Sequence, residues 1–498
     1  MHVRLAIFFI ALFSSALCAE EASSGVTFVL AADMPNISDE RSGNYPQLRT
    51  LVTQYREQSS PMFFVFGGGS IGPSALSSFD RGSHIVDILN SIEPDVMGVT
   101  KREFSFYEDE LSLRSYEAAF PLVTSNVISV KQGRAPDGIH TSVIIEQSGV
   151  SLGVISILHD RVINEYQLSD LSIEPPQKAI IEKANALRQR GADIVLLHYS
   201  YPFRFIDTLL SKNVVDLAFI SDSRVTEKLL EEESQNPRNL KMSGVGYAVV
   251  AHVVQDKNKA WMVSNTRDVD LSTLVPDPQL KEQVYGYESR LKRLLNIQIG
   301  EWRVEHSTNR TEVRTAENAF ANFVVDTVKD YAKTDVVLLN GGSIRGNKNY
   351  EVGMSITRQD IVTEMPFRAN VVTLKLTYEQ LLLALEQGLS QFQDIKGGFP
   401  HVSGMSYTFD STAKPFSRVG AVKVAGKPLR YEKMYSLATS DFLANGGDGY
   451  FALKEAARLN AQSARPPQIA DLVVQRIANE YDISPPMTQR IVDTAKGR

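Results

Sequence analysis

The sequence predicts two layered α/β domains joined by a helix, and three observations support this. Its 498 residues exceed what a single hydrophobic core usually serves. Apolar runs of strand length alternate with helical stretches through the first half, the order of a layered α/β domain. Residues 276–297 then form a polar amphipathic stretch. Leu280, Val284, Tyr287, Leu291, Leu294 and Leu295 recur there at helical spacing among lysine, arginine and glutamate.

The first domain is expected over residues 24–270. Its strands read as Val26–Ala31, Met62–Phe66, Thr141–Glu146, Val150–Leu158, Ile194–His198 and Val215–Ile220, and its helices include Ile85–Ile92 and Lys178–Arg190. The second domain is expected over 299–498. A long helix, Val313–Ala332, opens it with Phe320, Phe323, Val324 and Val328 on the buried face. Strands follow at Val336–Leu339 and Val371–Leu376, and a final helix at Gln468–Asp482. There is no internal repeat and no low-complexity segment.

Hydrophobic residues make up 43% and charged residues 22%, the mixture of a soluble globular protein. A net charge of −6 argues against a nucleic-acid partner, which usually demands a strong basic excess. His2 and Arg4, the apolar run Leu5–Phe13 and the small residues through Ala19 read as an export signal over 1–19. A buried first strand is the other account of that run. Export places the protein in a periplasm or outside the cell. The run is too short to span a bilayer, so no transmembrane segment is expected. Cys18 is the single cysteine, and Leu17 before it is a poor residue for a lipid-anchor site. Removal of the signal leaves no thiol for disulfides, thiolate catalysis or cysteine-ligated zinc.

Chemistry-bearing residues concentrate in the second half. Arg310 and Arg314 are placed at the start of the long helix, where a four-residue spacing shares one face. Arg345 closes the loop Asn340-Gly341-Gly342-Ser343-Ile344-Arg345, whose glycines allow a tight turn and a close ligand approach. Guanidinium groups bind phosphate through paired, directional hydrogen bonds. Three solvated arginines and a Gly-Gly turn explain the spacing equally well. Phe367 precedes the strand Val371–Leu376, and Phe442 sits inside the glycine-rich run Ser440–Tyr450, which also contains Asp448. Two aromatics on separate loops can sandwich a planar base, and a carboxylate can accept from ribose hydroxyls. Without further information, two core phenylalanines and a turn are the better account.

Taken together, Asn340–Arg345 and Ser440–Tyr450 resemble the nucleotide pocket of the 5′-nucleotidase family. The resemblance extends over nearly the whole mature chain. It implies an N-terminal calcineurin-like metallophosphatase-type α/β domain and a C-terminal α/β 5′-nucleotidase domain. It places the phosphate contacts on Arg310, Arg314 and Arg345, the base stack on Phe367 and Phe442, the ribose contact on Asp448, and Asn340 and Gly342 in the same pocket. One departure stands out. The asparagine that should follow the first phenylalanine by two positions is Ala369, with Asn370 beside it.

The resemblance also implies two divalent ions in the N-terminal half, and there this sequence departs strongly. Asp33 is kept, but the histidine of its motif is replaced by Pro35. Gly69 stands where a bridging aspartate belongs. Lys101 and Arg102 replace a ligand asparagine and the catalytic histidine, while Glu103-Phe104 keep the register. His198 lies two residues ahead of the expected histidine position, which Ser200 holds. Asp222 and Arg224 fall in the last ligand motif. At most Asp33, His198 and Asp222 remain, enough for a weak single-metal site. Lys101, Arg102 and Arg224 bring positive charge to places where metal ions would sit, either as replacements for them or as simple solvated cations.

The expectation is therefore an exported, catalytically impaired family member that binds a nucleotide or nucleoside phosphate, with no cofactor. Two alternatives remain. One is an active phosphoesterase with an altered metal centre, in which case a divalent ion is needed. The other is a scaffold that binds a protein partner.

Overall fold

The computed structural model describes residues 25–37, 43–58, 61–166, 168, 170–221, 236–459 and 466–495. The export signal, Cys18, Asp222 and Arg224 lie outside the described residues. The chain divides into two compact units, Met1–Leu291 and Lys292–Arg498.

In the first unit, Val26–Ala31 is apolar at nearly every position and buried on both faces. Val26, Phe28 and Leu30 face a second sheet, while Val29 and Ala31 face helices. Such two-sided burial produces a continuous apolar run in place of alternation. The first sheet has the order 261–270, 247–255, 26–31, 62–66, 96–98, 122–123. The second runs 239–241, 217–220, 194–199, 150–157, 143–147. Phe63 and Val65 of one sheet pack with Leu152, Val154, Leu196 and Phe219 of the other. Helices Tyr45–Arg56 and Ser83–Ile92 cover the outer face of the first sheet. Helix Pro176–Gln189 covers that of the second. Val26–Ala31, Met62–Phe66 and Val96–Gly98 are parallel. So are Val150–Ile157, Ile194–Tyr199 and Leu217–Ile220. Loops leaving the carboxyl ends of parallel strands are where α/β sites form.

Helix Pro278–Leu295 buries Leu280 and Val284 in the core of the first unit. No helix among the described residues is long and apolar enough to cross a membrane.

The second unit is built on a mixed sheet of order 400–403, 336–340, 435–440, 371–376, 457–458. Val336 and Leu338 point into one core, Val337 and Leu339 into another. Val371 pairs with Ser440 at one end of the antiparallel ladder, so the loops around Phe367 and Phe442 leave the sheet side by side.

One sequence expectation is corrected here. The long helix starts at Ala319, not Val313, because Asn318 caps it by accepting from the Ala321 N–H. Glu312–Arg314 is a separate 3₁₀ turn. Arg310 and Arg314 therefore sit on a loop and a turn, and no helix face joins them.

Candidate functional site

In the second unit, the Glu312–Arg314 turn lies beside the Gly341–Ser343 turn. His401 Nε2 donates to the Val313 carbonyl at 2.8 Å and ties the first turn to the sheet. Arg314 is only 6% exposed, so it is not a solvated surface arginine. Its Nη1 donates to the Ile395 carbonyl at 3.2 Å, while its buried Nε has no protein partner. Burial lowers its pKa first, then the nearby charges of Arg310 and Arg345, against the opposing pull of Asp448. Three cations and one carboxylate are thus electrostatic neighbours. A buried guanidinium with an open donor next to two other cations favours an anion.

Asn340 is buried, and its Nδ2 donates to Asp448 Oδ2 at 2.7 Å. Asp448 adopts a left-handed backbone (φ 51) in the glycine-rich turn. Gly342 is required at its position. Its N–H donates to the Gly397 carbonyl at 2.8 Å, and a Cβ would come within 2.7 Å of Gly397 Cα.

Phe367 and Phe442 are 53% and 51% exposed, which rules out the account of both as core residues. The Arg345 guanidinium lies 5.3 Å from the Phe367 ring centroid, a cation–π contact. Asn370 Nδ2 donates to Asp441 Oδ2 at 3.0 Å, and the Asp441 N–H donates back to the Asn370 carbonyl at 2.9 Å. Asn370 therefore straps the Phe442 turn to the strand.

His401 also makes this region sensitive to acid. Burial drives its pKa down to about 4 from 6.5, with the Val313 carbonyl opposing. Burial lowers His306 as well. Between these pH values the unfolded chain takes up protons that the folded chain refuses, so stability falls as pH falls from 6.5 towards 4. The urea midpoint of the second unit should drop over this window. His401→Gln should flatten the slope by about 1.4 kcal/mol per pH unit.

The N-terminal residues form a different arrangement. Asp33 is buried with left-handed backbone (φ 58). Arg102 Nη1 donates to Asp33 Oδ1 at 2.6 Å and to the Gly69 carbonyl at 3.3 Å. The Arg102 and Asp33 side chains are 14% and 5% exposed, so this cation is not simply solvated. Lys101 turns elsewhere, to Glu165 at 2.8 Å.

Glu103 is fully buried. Its carboxylate accepts from the N–H groups of Gly69 (3.0 Å), Ser70 (2.9 Å) and Thr100 (2.8 Å), and from the Thr100 hydroxyl (2.7 Å). It thus joins the loops after two parallel strands. From the sequence Glu103 served only as a register mark. The signal for its role was Thr100-x-x-Glu103, a capping box.

His198 is fully buried with both ring nitrogens engaged, Nδ1 with Ser156 Oγ and Nε2 with Ser221 Oγ, each at 2.8 Å. Burial holds its pKa down to about 4.

Among the described residues, the donor set does not fit two divalent ions. Gly69 offers no carboxylate, a guanidinium occupies Asp33, and His198 is committed to two hydroxyls. Among the described residues, no three His, Cys, Asp or Glu side chains gather to hold an ion.

Residues 298–455 match the family described as 5′-nucleotidase, C-terminal domain. The trifunctional nucleotide phosphoesterase protein YfkN of Bacillus subtilis is 33% identical over 190 residues, 36% of this chain but only 13% of that longer protein. The human 5′-nucleotidase is 21% identical over 462 residues, 83% of this chain and 79% of that one. The crystal structure of a 5′-nucleotidase precursor from Thermus thermophilus superposes with a TM-score of 0.56 at 20% identity, covering 94% of this chain and 99% of that one, a shared fold.

Proposed function

We propose that this chain is a 5′-nucleotidase-family protein, with an N-terminal calcineurin-like α/β domain and a C-terminal 5′-nucleotidase domain, and that it binds a nucleotide or nucleoside phosphate without hydrolysing it. The observation that carries this reading is the contrast between the two sites. Arg314 is an electrostatic neighbour of Arg310, Arg345 and Asp448, with Asn340 bonded to Asp448 and the exposed Phe367 ring under Arg345. In the N-terminal unit Asp33 is instead paired with Arg102, and His198 is engaged by the Ser156 and Ser221 hydroxyls.

In this mechanism the arginines grip the phosphate through charge-assisted hydrogen bonds. Phe367 and Phe442 stack on the base. Asp448, oriented by Asn340, accepts from the ribose hydroxyls. A two-ion mechanism needs ions that activate a water and clamp the phosphate, and the described N-terminal residues do not supply their ligands. The residues 1–19 carry the pattern for export, so the ligand would be met in a periplasm or outside the cell.

Phosphate release tests the hydrolytic half of this proposal. AMP, ADP and a nucleotide sugar, each incubated with protein and Mn²⁺, should yield no phosphate above the buffer control. Turnover that disappears in Asp33→Ala would replace this reading with that of an active phosphoesterase.

A further inference from the structure

Glu364 is a fully buried carboxylate at the end of helix Arg358–Glu364, and no step described so far uses it. Its environment is specific. Oε1 accepts from the Thr308 hydroxyl at 2.8 Å and from the Tyr350 hydroxyl at 2.7 Å. Oε2 accepts from the Gly346 N–H at 3.0 Å. The Glu364 backbone carbonyl accepts from the Arg345 N–H at 2.8 Å. Gly346 has to be glycine, because a Cβ there would overlap the Glu364 carboxylate.

These partners come from the two segments that carry arginines. Thr308 lies two residues before Arg310, and Gly346 directly follows Arg345. The segments are also tied to each other. His306–Ser307 pairs with Asn349–Tyr350. The Lys348 N–H donates to Thr308 Oγ1 at 3.1 Å, and the Arg310 N–H to Asn347 Oδ1 at 3.0 Å. One carboxylate therefore fixes the backbone on which Arg310 and Arg345 stand. A buried carboxylate is costly unless its acceptor sites are filled, and here Thr308, Tyr350 and Gly346 fill them.

We propose that Glu364 is a positioning residue for phosphate, setting the separation of Arg310 and Arg345 by clamping Thr308, Tyr350 and Gly346; this rests on the nucleotide-binding reading above. The neighbouring cations repel one another, so without such a clamp the two segments would relax apart. Ligand parts that do not touch the arginines should be indifferent to it.

The test is calorimetric titration of AMP and, separately, of adenosine into wild type, Glu364→Gln, Thr308→Val and Thr308→Ser. The glutamine turns one acceptor oxygen into a donor and loses the charge. Its AMP affinity should fall about tenfold, the loss of one charged hydrogen bond, while adenosine affinity stays within about twofold. Thr308→Val should weaken AMP about threefold, and Thr308→Ser, which keeps the hydroxyl, should match wild type. Unchanged AMP affinity in folded Glu364→Gln overturns the proposal. So does a parallel fall for both ligands, which would mark a general packing role. If the glutamine variant does not fold, the threonine pair decides. Valine weak with serine normal supports the clamp, and equal affinities overturn it. Wild type that binds neither ligand fails at the nucleotide reading itself, before any variant is compared.

Discussion

Arg345→Ala should lower the affinity for AMP by about 100-fold or more, with little change in thermal stability. Truncating one partner of a charged hydrogen-bonded pair costs about 2–5 kcal/mol, and each 1.4 kcal/mol is about tenfold. Arg345 is exposed, so its removal opens no cavity. It also lies over Phe367, which gives the substitution a second effect on the base stack. Arg345→Lys should fall between the two, because lysine keeps the charge but not the planar fork. Calorimetry gives the affinities and a melting curve checks the fold. Affinity within about threefold of wild type for the alanine variant would remove Arg345 from the site.

Arg102→Ala should destabilise the N-terminal unit by about 3–5 kcal/mol, the cost of breaking a buried ion pair from one side. The pair sits between a left-handed Asp33 and the Gly69 carbonyl, so the lost guanidinium is also a lost tie between two loops. Removing both charges is different, since an apolar replacement for a buried pair is often neutral. Asp33→Asn with Arg102→Met should therefore recover most of the stability, as asparagine tolerates the left-handed backbone. Urea denaturation of wild type, Asp33→Asn, Arg102→Met and the double variant forms a thermodynamic cycle, with Arg102→Ala measured beside it. A single Arg102→Ala that melts like wild type would show that the guanidinium merely decorates the site.

The strands were legible because burial on both faces leaves an apolar run that needs no partner to be recognised, as in Val26–Ala31 and Met62–Phe66. The glycine-rich turns were legible for a similar reason: their constraint is local. The start of the long helix was misread because apolar spacing continues back to Val313, whereas the cap at Asn318 decides where helical hydrogen bonding begins. His198 read as a remnant ligand because a strand-end histidine has no visible partner in sequence. Ser156 and Ser221, which engage it, come from the neighbouring strand and from the residue just past another. Glu364 was invisible for the same reason, since its donors lie 14 to 56 residues away. The exposure of Phe367 and Phe442 also needed the fold, because the sequence alone favoured a core role for both.

We propose that nucleotide binding survives here without a metal centre. Calorimetric titration of AMP into the EDTA-treated protein tests it most directly. Saturable binding at unit stoichiometry, unchanged when Mn²⁺ is restored and lost in Arg345→Ala, is the predicted result. Binding that appears only with Mn²⁺, or no heat under either condition, would contradict it.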